Sequence, residues 1–248
     1  MSRCVFCDLE HKTREHVIPQ WLGEPLRESH PVAPGRLRIG LTHRYTPPAG
    51  RGGEAREWSM SGPDLVTTEV CGQCNNGWLA ELEGRVKPRL EGIVRGEPAN
   101  LLSDDQPAVA TWCYKTVLLM QLVRPGKFRF IPRERYAQLH REERPPSDSR
   151  LWLGATPVDG LVVHEATMEA DLSTLTSKHR GYLSVLTVGH LLILCSGRSR
   201  EVSEPLSFDA RAEGKALVRL WPASMRAAQR PPAEVIQDLK LEALGALI

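Results

Sequence analysis

The 248-residue sequence has no long apolar run, few cysteines and no excess of one charge. The longest apolar stretches, around residues 117–123 and 191–195, fall far short of the roughly 18 residues that span a bilayer, so no membrane segment is expected. The start, Met1-Ser2-Arg3-Cys4, has no apolar run behind it. A signal peptide is therefore not expected, and the expected compartment is a reducing cytoplasm. Lys+Arg is 32 against Asp+Glu 30, a net charge of +2, which excludes a histone-like polycation. That sum neither supports nor excludes a nucleic-acid partner, because only clustered charge makes a binding field. Six cysteines are too few for a small disulfide scaffold. What is present fits an ordinary globular protein with a real core: 41% hydrophobic and 25% charged residues. The length suits one large domain or two small ones. Of the 32 basic residues 25 are Arg, the better bidentate phosphate binder, although a GC-rich genome gives the same bias.

The cysteines are informative by position. Cys4-x-x-Cys7 and Cys71-x-x-Cys74 supply four thiolates, the ligand count of a structural tetrahedral zinc site. In a reducing compartment such pairs read as metal sites before disulfides. The 63 residues between the pairs mean that zinc would staple the first segment to the start of a later helix, with an insertion looped out. The competing reading is buried or redox-active thiols. Cys113 and Cys195 stand alone in apolar segments and read as inert core thiols.

The chain divides near residue 100. Residues 1–98 carry both cysteine pairs. Between them, residues 31–53 hold Arg36, Arg38, Arg44 and Arg51 with no acid, among several Pro and Gly. This stretch reads as loop plus hairpin, with strand candidates at 36–45, 57–61 and 65–70. From Cys74 a helix is expected, with Trp78, Leu79, Leu82, Val86, Leu90, Ile93 and Val94 on one face, a kink or restart at Pro88, and an end at Gly96. Residues 99–248 open with a helix over 105–123, followed by a shorter one over 132–142. Strands are expected at 151–155, 161–168, 182–188, 191–195 and 216–221, with Gly189-His190 turning a hairpin, and a last helix over 233–247. The fold class expected is α+β, with a zinc-stapled first module followed by a helix and an antiparallel β-meander.

Glu15-His16-Val17-Ile18-Pro19 follows the first cysteine pair, and Asn75 follows Cys74 directly. This combination resembles the HNH endonuclease family, whose ββα-metal site often sits on a zinc-binding frame. The resemblance covers residues 1–95. The run Trp78-Leu79-Ala80-Glu81-Leu82-Glu83 after Cys-Asn-Asn-Gly also resembles a bacterial branch of that family. The resemblance implies that His16 is the general base, with Glu15 and Asn75 as ligands of a catalytic Mg2+ (or Mn2+ or Ni2+). Cys4, Cys7, Cys71 and Cys74 then hold a structural Zn2+. One residue departs from the pattern. The family's middle Asn, about five residues before the second pair, is missing from Leu65-Val66-Thr67-Thr68-Glu69-Val70. Thr67 or Thr68 offers a substitute hydroxyl.

The implied activity is metal-dependent hydrolysis of nucleic-acid phosphodiesters, with double-stranded DNA the expected partner. A homodimer or larger complex fits an enzyme that must cut two strands. Host defence against phage is the associated biological context. Arg14, Arg36, Arg38, Arg44 and Arg51 are the candidate backbone contacts, against the plainer reading of an exposed soluble loop. Residues 124–150, with eight Lys/Arg against four acids, are a second basic stretch. The alternative function is a non-cleaving zinc-stabilised module that docks nucleic acid or protein, with residues 99–248 as the functional or partner-docking half.

Overall fold

A computed structural model describes residues 3–10, 13–29, 65–98, 100–124, 129–155, 163–171, 180–198, 217–222 and 228–229. Arg36, Arg38, Arg44, Arg51, the strands expected at 36–45 and 57–61 and the helix expected at 233–247 lie outside these residues.

The first cysteine turn leads into a short strand β1 (Glu15–His16) and, after a turn at Gln20–Leu22, helix α1 (Gly23–Ser29). Strand β2 (Val66–Thr67) pairs antiparallel with β1, Glu15 opposite Thr67 and His16 opposite Val66. The one-turn helix α2 (Gly72–Cys74) opens at Cys71 and runs through a wide turn, Asn75–Leu79, into α3 (Ala80–Arg95). The kink expected at Pro88 falls at Gly77, whose φ −97° and ψ −114° are non-helical. Pro88 is exposed and leaves α3 unbroken, because water can take the carbonyl that its ring leaves unbonded. The apolar stripe matches the sequence spacing: Leu82, Val86, Leu90, Ile93 and Val94 are buried.

Gly96 ends α3 in the left-handed region, φ 94°. A Cβ there would lie 2.9 Å from Cδ2 of His190, in the turn whose His190 N–H donates to the Val94 carbonyl at 3.0 Å. Gly96→Ala is therefore expected to cost about 1–3 kcal/mol, read from the urea midpoint, through left-handed strain and the clash together.

Beyond β3 (Asn100–Leu101), α4 (Gln106–Leu122) is the centre of the molecule. The sequence suggested one apolar face, but α4 is buried nearly all round, as expected of a helix packed on two sides. On one side lies α3. On the other are β4 (Arg150–Ala155) and two later strands, residues Leu191–Arg198 and Val218–Trp221. Helix α5 (Glu134–Glu142) flanks α4 and donates Tyr136 Oη to the Leu118 carbonyl.

The sheet adds β5 (Val163–Asp171), β6 (Arg180–Val188), β7 (Leu191–Arg198) and β8 (Val218–Trp221). Every pairing in it is antiparallel, in the order β5-β6-β7-β4-β8. Strands β5 to β7 form the expected meander, turned at Gly189 (φ 56°). Strand β4 then inserts between β7 and β8, so the sheet is not a simple sequential meander. A two-residue strand β9 (Ala228–Gln229) pairs with β3. One continuous core runs from Cys4 to Leu220. Across the residue-100 boundary, Trp21 meets Trp112 (ring centroids 6.3 Å apart) and Phe6 meets Tyr136 (5.8 Å). No described helix is long and apolar enough to cross a membrane.

Candidate metal centre and adjoining cleft

The two cysteine turns meet. Val5 N–H donates to the Glu69 carbonyl (2.9 Å) and Thr13 N–H to that of Val70 (3.0 Å), which lays the first turn against the residues leading into the second. The thiol sulfurs of Cys4, Cys7, Cys71 and Cys74 all lie within 4.8 Å of one another. Tetrahedral zinc with Zn–S bonds of about 2.3 Å needs sulfurs about 3.8 Å apart, so the four fit one ion. All six cysteines are free thiols. The approach of Cys7 Sγ to Cys71 Sγ, 3.4 Å, is far from the roughly 2 Å of a disulfide.

Burial pushes the Cys7 and Cys74 thiols up. Cys71 is lowered against its own burial, because the Cys74 N–H and the thiols of Cys7, Cys4 and Cys74 donate to its sulfur. A zinc ion would displace the remaining protons, since thiolates are its ligands. Cys113 and Cys195 are buried apart from the cluster, their thiols pushed up chiefly by burial.

Beside the cluster, a cleft of about 360 Å³ is lined by Glu15, His16, Gln20, Asn75 and Glu83, among others. The structure brings together the three residues singled out from two distant motifs. Asn75 directly follows the cysteine Cys74. Its Nδ2 donates to Thr13 Oγ1 (3.2 Å) and to the Arg14 carbonyl (3.3 Å), fixing which end of the amide is nitrogen. Oδ1 remains its acceptor end. Thr13 Oγ1 donates in turn to the Val70 carbonyl (3.1 Å). His16 Nε2 lies 3.2 Å from Gln20 Nε2.

Among the described hydrogen bonds, neither hydroxyl offered in place of the missing Asn reaches the His16 side chain. Thr67 Oγ1 accepts from Glu69 N–H at 3.2 Å, and Thr68 is exposed. The His16 segment is held instead by the β1–β2 pairing, by Val17 N–H to the Leu65 carbonyl (2.9 Å), and by Gln20. Arg14 is exposed beside the cleft. In the second basic stretch several arginines serve the fold itself. Arg129 pairs with Glu69 (2.8 Å), Arg135 with Asp148 (2.6 Å), and Arg150 donates to the Ser147 and Ser149 carbonyls.

Glu15 is buried, 5% exposed. Burial pushes its carboxyl up from an ordinary 4.5 to about 7; Lys115 pulls it down and Glu83 pushes it further up. Both folded and unfolded chains carry the proton below pH 4.5, and only the folded chain still holds it as pH rises towards 7. With zinc on the cysteines and no divalent ion in the cleft, the fold is therefore expected to lose up to about 3 kcal/mol across that window, fully lost above pH 7. Urea midpoints measured against pH should show this slope in the parent chain and not in Glu15→Gln.

The sequence reading missed Glu83, Lys115 and Gln20. Lys115 had a signal: it is the one charged residue in the 17 of α4. No family model, curated protein or solved structure matches this chain. The fold and site define a mixed α+β protein with antiparallel sheets and a four-cysteine cluster placed to bind a metal ion.

Proposed function

We propose that the chain is a metal-dependent endonuclease of the HNH type that hydrolyses phosphodiester bonds in nucleic acid, with double-stranded DNA as substrate. The observation that carries this is the single cleft lined by His16, Glu15 and Asn75 beside the cysteine cluster. Structural zinc on Cys4, Cys7, Cys71 and Cys74 keeps the two motifs in register. Glu15 and the Asn75 carbonyl oxygen are the hard oxygen donors suited to Mg2+ or Mn2+. A divalent ion there would supply charge neutralisation at the scissile phosphate and the leaving oxygen.

The chain's own residues do the rest. His16 takes the proton of the attacking water, the role for which an imidazole is suited near neutral pH. Gln20 Nε2 donates to His16 Nε2, which places the ring proton on Nδ1 and leaves Nε2 as the basic nitrogen that passes from Gln20 to the attacking water. Asn75 is kept in orientation by Thr13 and the Arg14 carbonyl. The Arg14 side chain, with Arg36, Arg38, Arg44 and Arg51, contacts the phosphate backbone. Cutting both strands calls for a homodimer or a larger assembly, and action on invading DNA in a bacterial cytoplasm is the setting this activity suits.

Purified zinc-loaded chain incubated with supercoiled plasmid and Mg2+ or Mn2+ should give nicked and linear product. EDTA should stop it. Salt-dependent DNA binding with no cleavage under any divalent ion would leave the non-cleaving zinc module as the better description.

A further inference from the structure

The cleft has a second carboxylate in its wall, Glu83. Both its oxygens are engaged: Oε1 accepts from Lys115 Nζ at 2.9 Å and Oε2 from Trp21 Nε1 at 3.1 Å. Lys115 comes from α4. Its side chain is fully buried, while that of Glu83 is 20% exposed. The ammonium also lies 5.6 Å from the centroid of the Trp112 ring. Its charge favours the Glu15 anion, and that of Glu83 opposes it.

A buried ammonium is a poor way to stabilise a core. Desolvation offsets most of what the ion pair gains, and an apolar side chain of similar size would pack as well. The lysine's placement against a cleft carboxylate is explained by what it does to the charge there. With Lys115, the two carboxylates leave the cleft one net negative charge; without it they leave two. A hard divalent ion binds more tightly with each carboxylate added, at the expense of positions for water and phosphate.

We infer that Lys115 holds Glu83 out of the cleft's cation-ligand set and so sets the affinity for a divalent ion, which makes α4 a working part of the site. This rests on the proposal that Glu15 binds such an ion. Lys115 is a positioning residue, since it acts through Glu83.

The test is Mn2+ binding to the full zinc-loaded chain, measured at several pH values from 7 to 8.5 and taken to the pH-independent limit, because Lys115→Met also removes the charge that favours the Glu15 anion. Free Mn2+ is read by electron paramagnetic resonance. Lys115→Met should bind Mn2+ at least about tenfold more tightly, and Lys115→Arg should stay within about threefold of the parent. The double variant Lys115→Met/Glu83→Gln, with both charges removed, should also stay within about threefold. Unchanged or weaker binding by Lys115→Met, or a double variant that binds much more weakly than the parent, overturns the inference. If Lys115→Met does not fold, the comparison moves to Glu83→Gln. Its unbalanced ammonium should weaken Mn2+ at least about fivefold relative to the double variant, and equal affinities overturn the inference. Glu15→Gln separates the two levels. If it leaves Mn2+ affinity unchanged, the nuclease reading fails. If it abolishes binding while Lys115→Met tightens nothing, only the role of Lys115 fails.

Discussion

His16→Ala is expected to lower plasmid cleavage by about 10²–10⁴-fold, the range that one general base contributes. The side chain is well placed to show a clean effect. His16 is only half-buried, so truncation opens no core cavity. Its side-chain hydrogen-bond partner among the described residues, Gln20, is exposed, and an exposed neutral hydrogen bond adds little to stability. The backbone of β1 stays paired to β2 through Val66 and Thr67. The variant should therefore keep its zinc content, its melting temperature and its DNA affinity while losing turnover. Gln20→Ala should give a smaller loss together with a shifted pH–rate profile, since it changes which ring nitrogen carries the proton. Cleavage by His16→Ala within about threefold of the parent would remove His16 from the chemistry. The basic residues would then be better read as a binding surface.

Why these residues were legible, and others were not, follows from the range of the forces involved. The α3 stripe and its Gly96 stop are local: a 3.6-residue period and one left-handed residue. The cysteine pairs are legible because C-x-x-C is a local spacing that lets two sulfurs face one ion. Helix α1 is not. Its segment, Gly23-Glu24-Pro25-Leu26-Arg27-Glu28-Ser29, buries only Leu26 among clear apolar residues and shows no period. The insertion of β4 between β7 and β8 is set by pairings such as Leu151 with Cys195 and Trp152 with Arg219, which no local pattern encodes. At the site, Glu15-His16 and Asn75 were visible as motifs. The bonds that lock Asn75 to Thr13 and the Arg14 carbonyl join positions about 60 residues apart and had no separate trace. Helix α4 was located correctly, but its burial on both sides depends on the later sheet. The one observation that hinted at more was a lysine in an otherwise uncharged helix.

Removing the zinc is expected to cost more than any single side chain. Zinc bound by structural cysteines contributes on the order of 10–16 kcal/mol of apparent binding free energy, against about 5–15 kcal/mol of net stability for a typical domain. Cys4, Cys71 and Cys74 sit within the core beside Val5, Phe6 and Val70, so an empty cluster leaves buried polarisable thiols where an ion had closed the packing. Cys71→Ser should cause the largest loss, because Cys71 is the sulfur that gathers donors from its neighbours and caps α2 by accepting from Cys74 N–H at 3.4 Å. A drop of more than about 10 °C in melting temperature is expected for this variant or after a strong zinc chelator, since each kcal/mol moves a chain of this size by about 2–4 °C. Metal analysis of the parent should find close to one zinc per chain, and Cys113→Ser should keep it. Activity should disappear with the zinc and not return on adding Mg2+ alone. The cause is geometric. Asn75 follows Cys74 directly, and Thr13 hangs from Val70, the residue before Cys71. Loosening the cluster therefore separates Asn75 from the segment that carries Glu15 and His16. If the parent chain holds no zinc and melts at the same temperature with and without chelator, the four thiols are ordinary core residues and the cleft is held together by its hydrogen bonds alone.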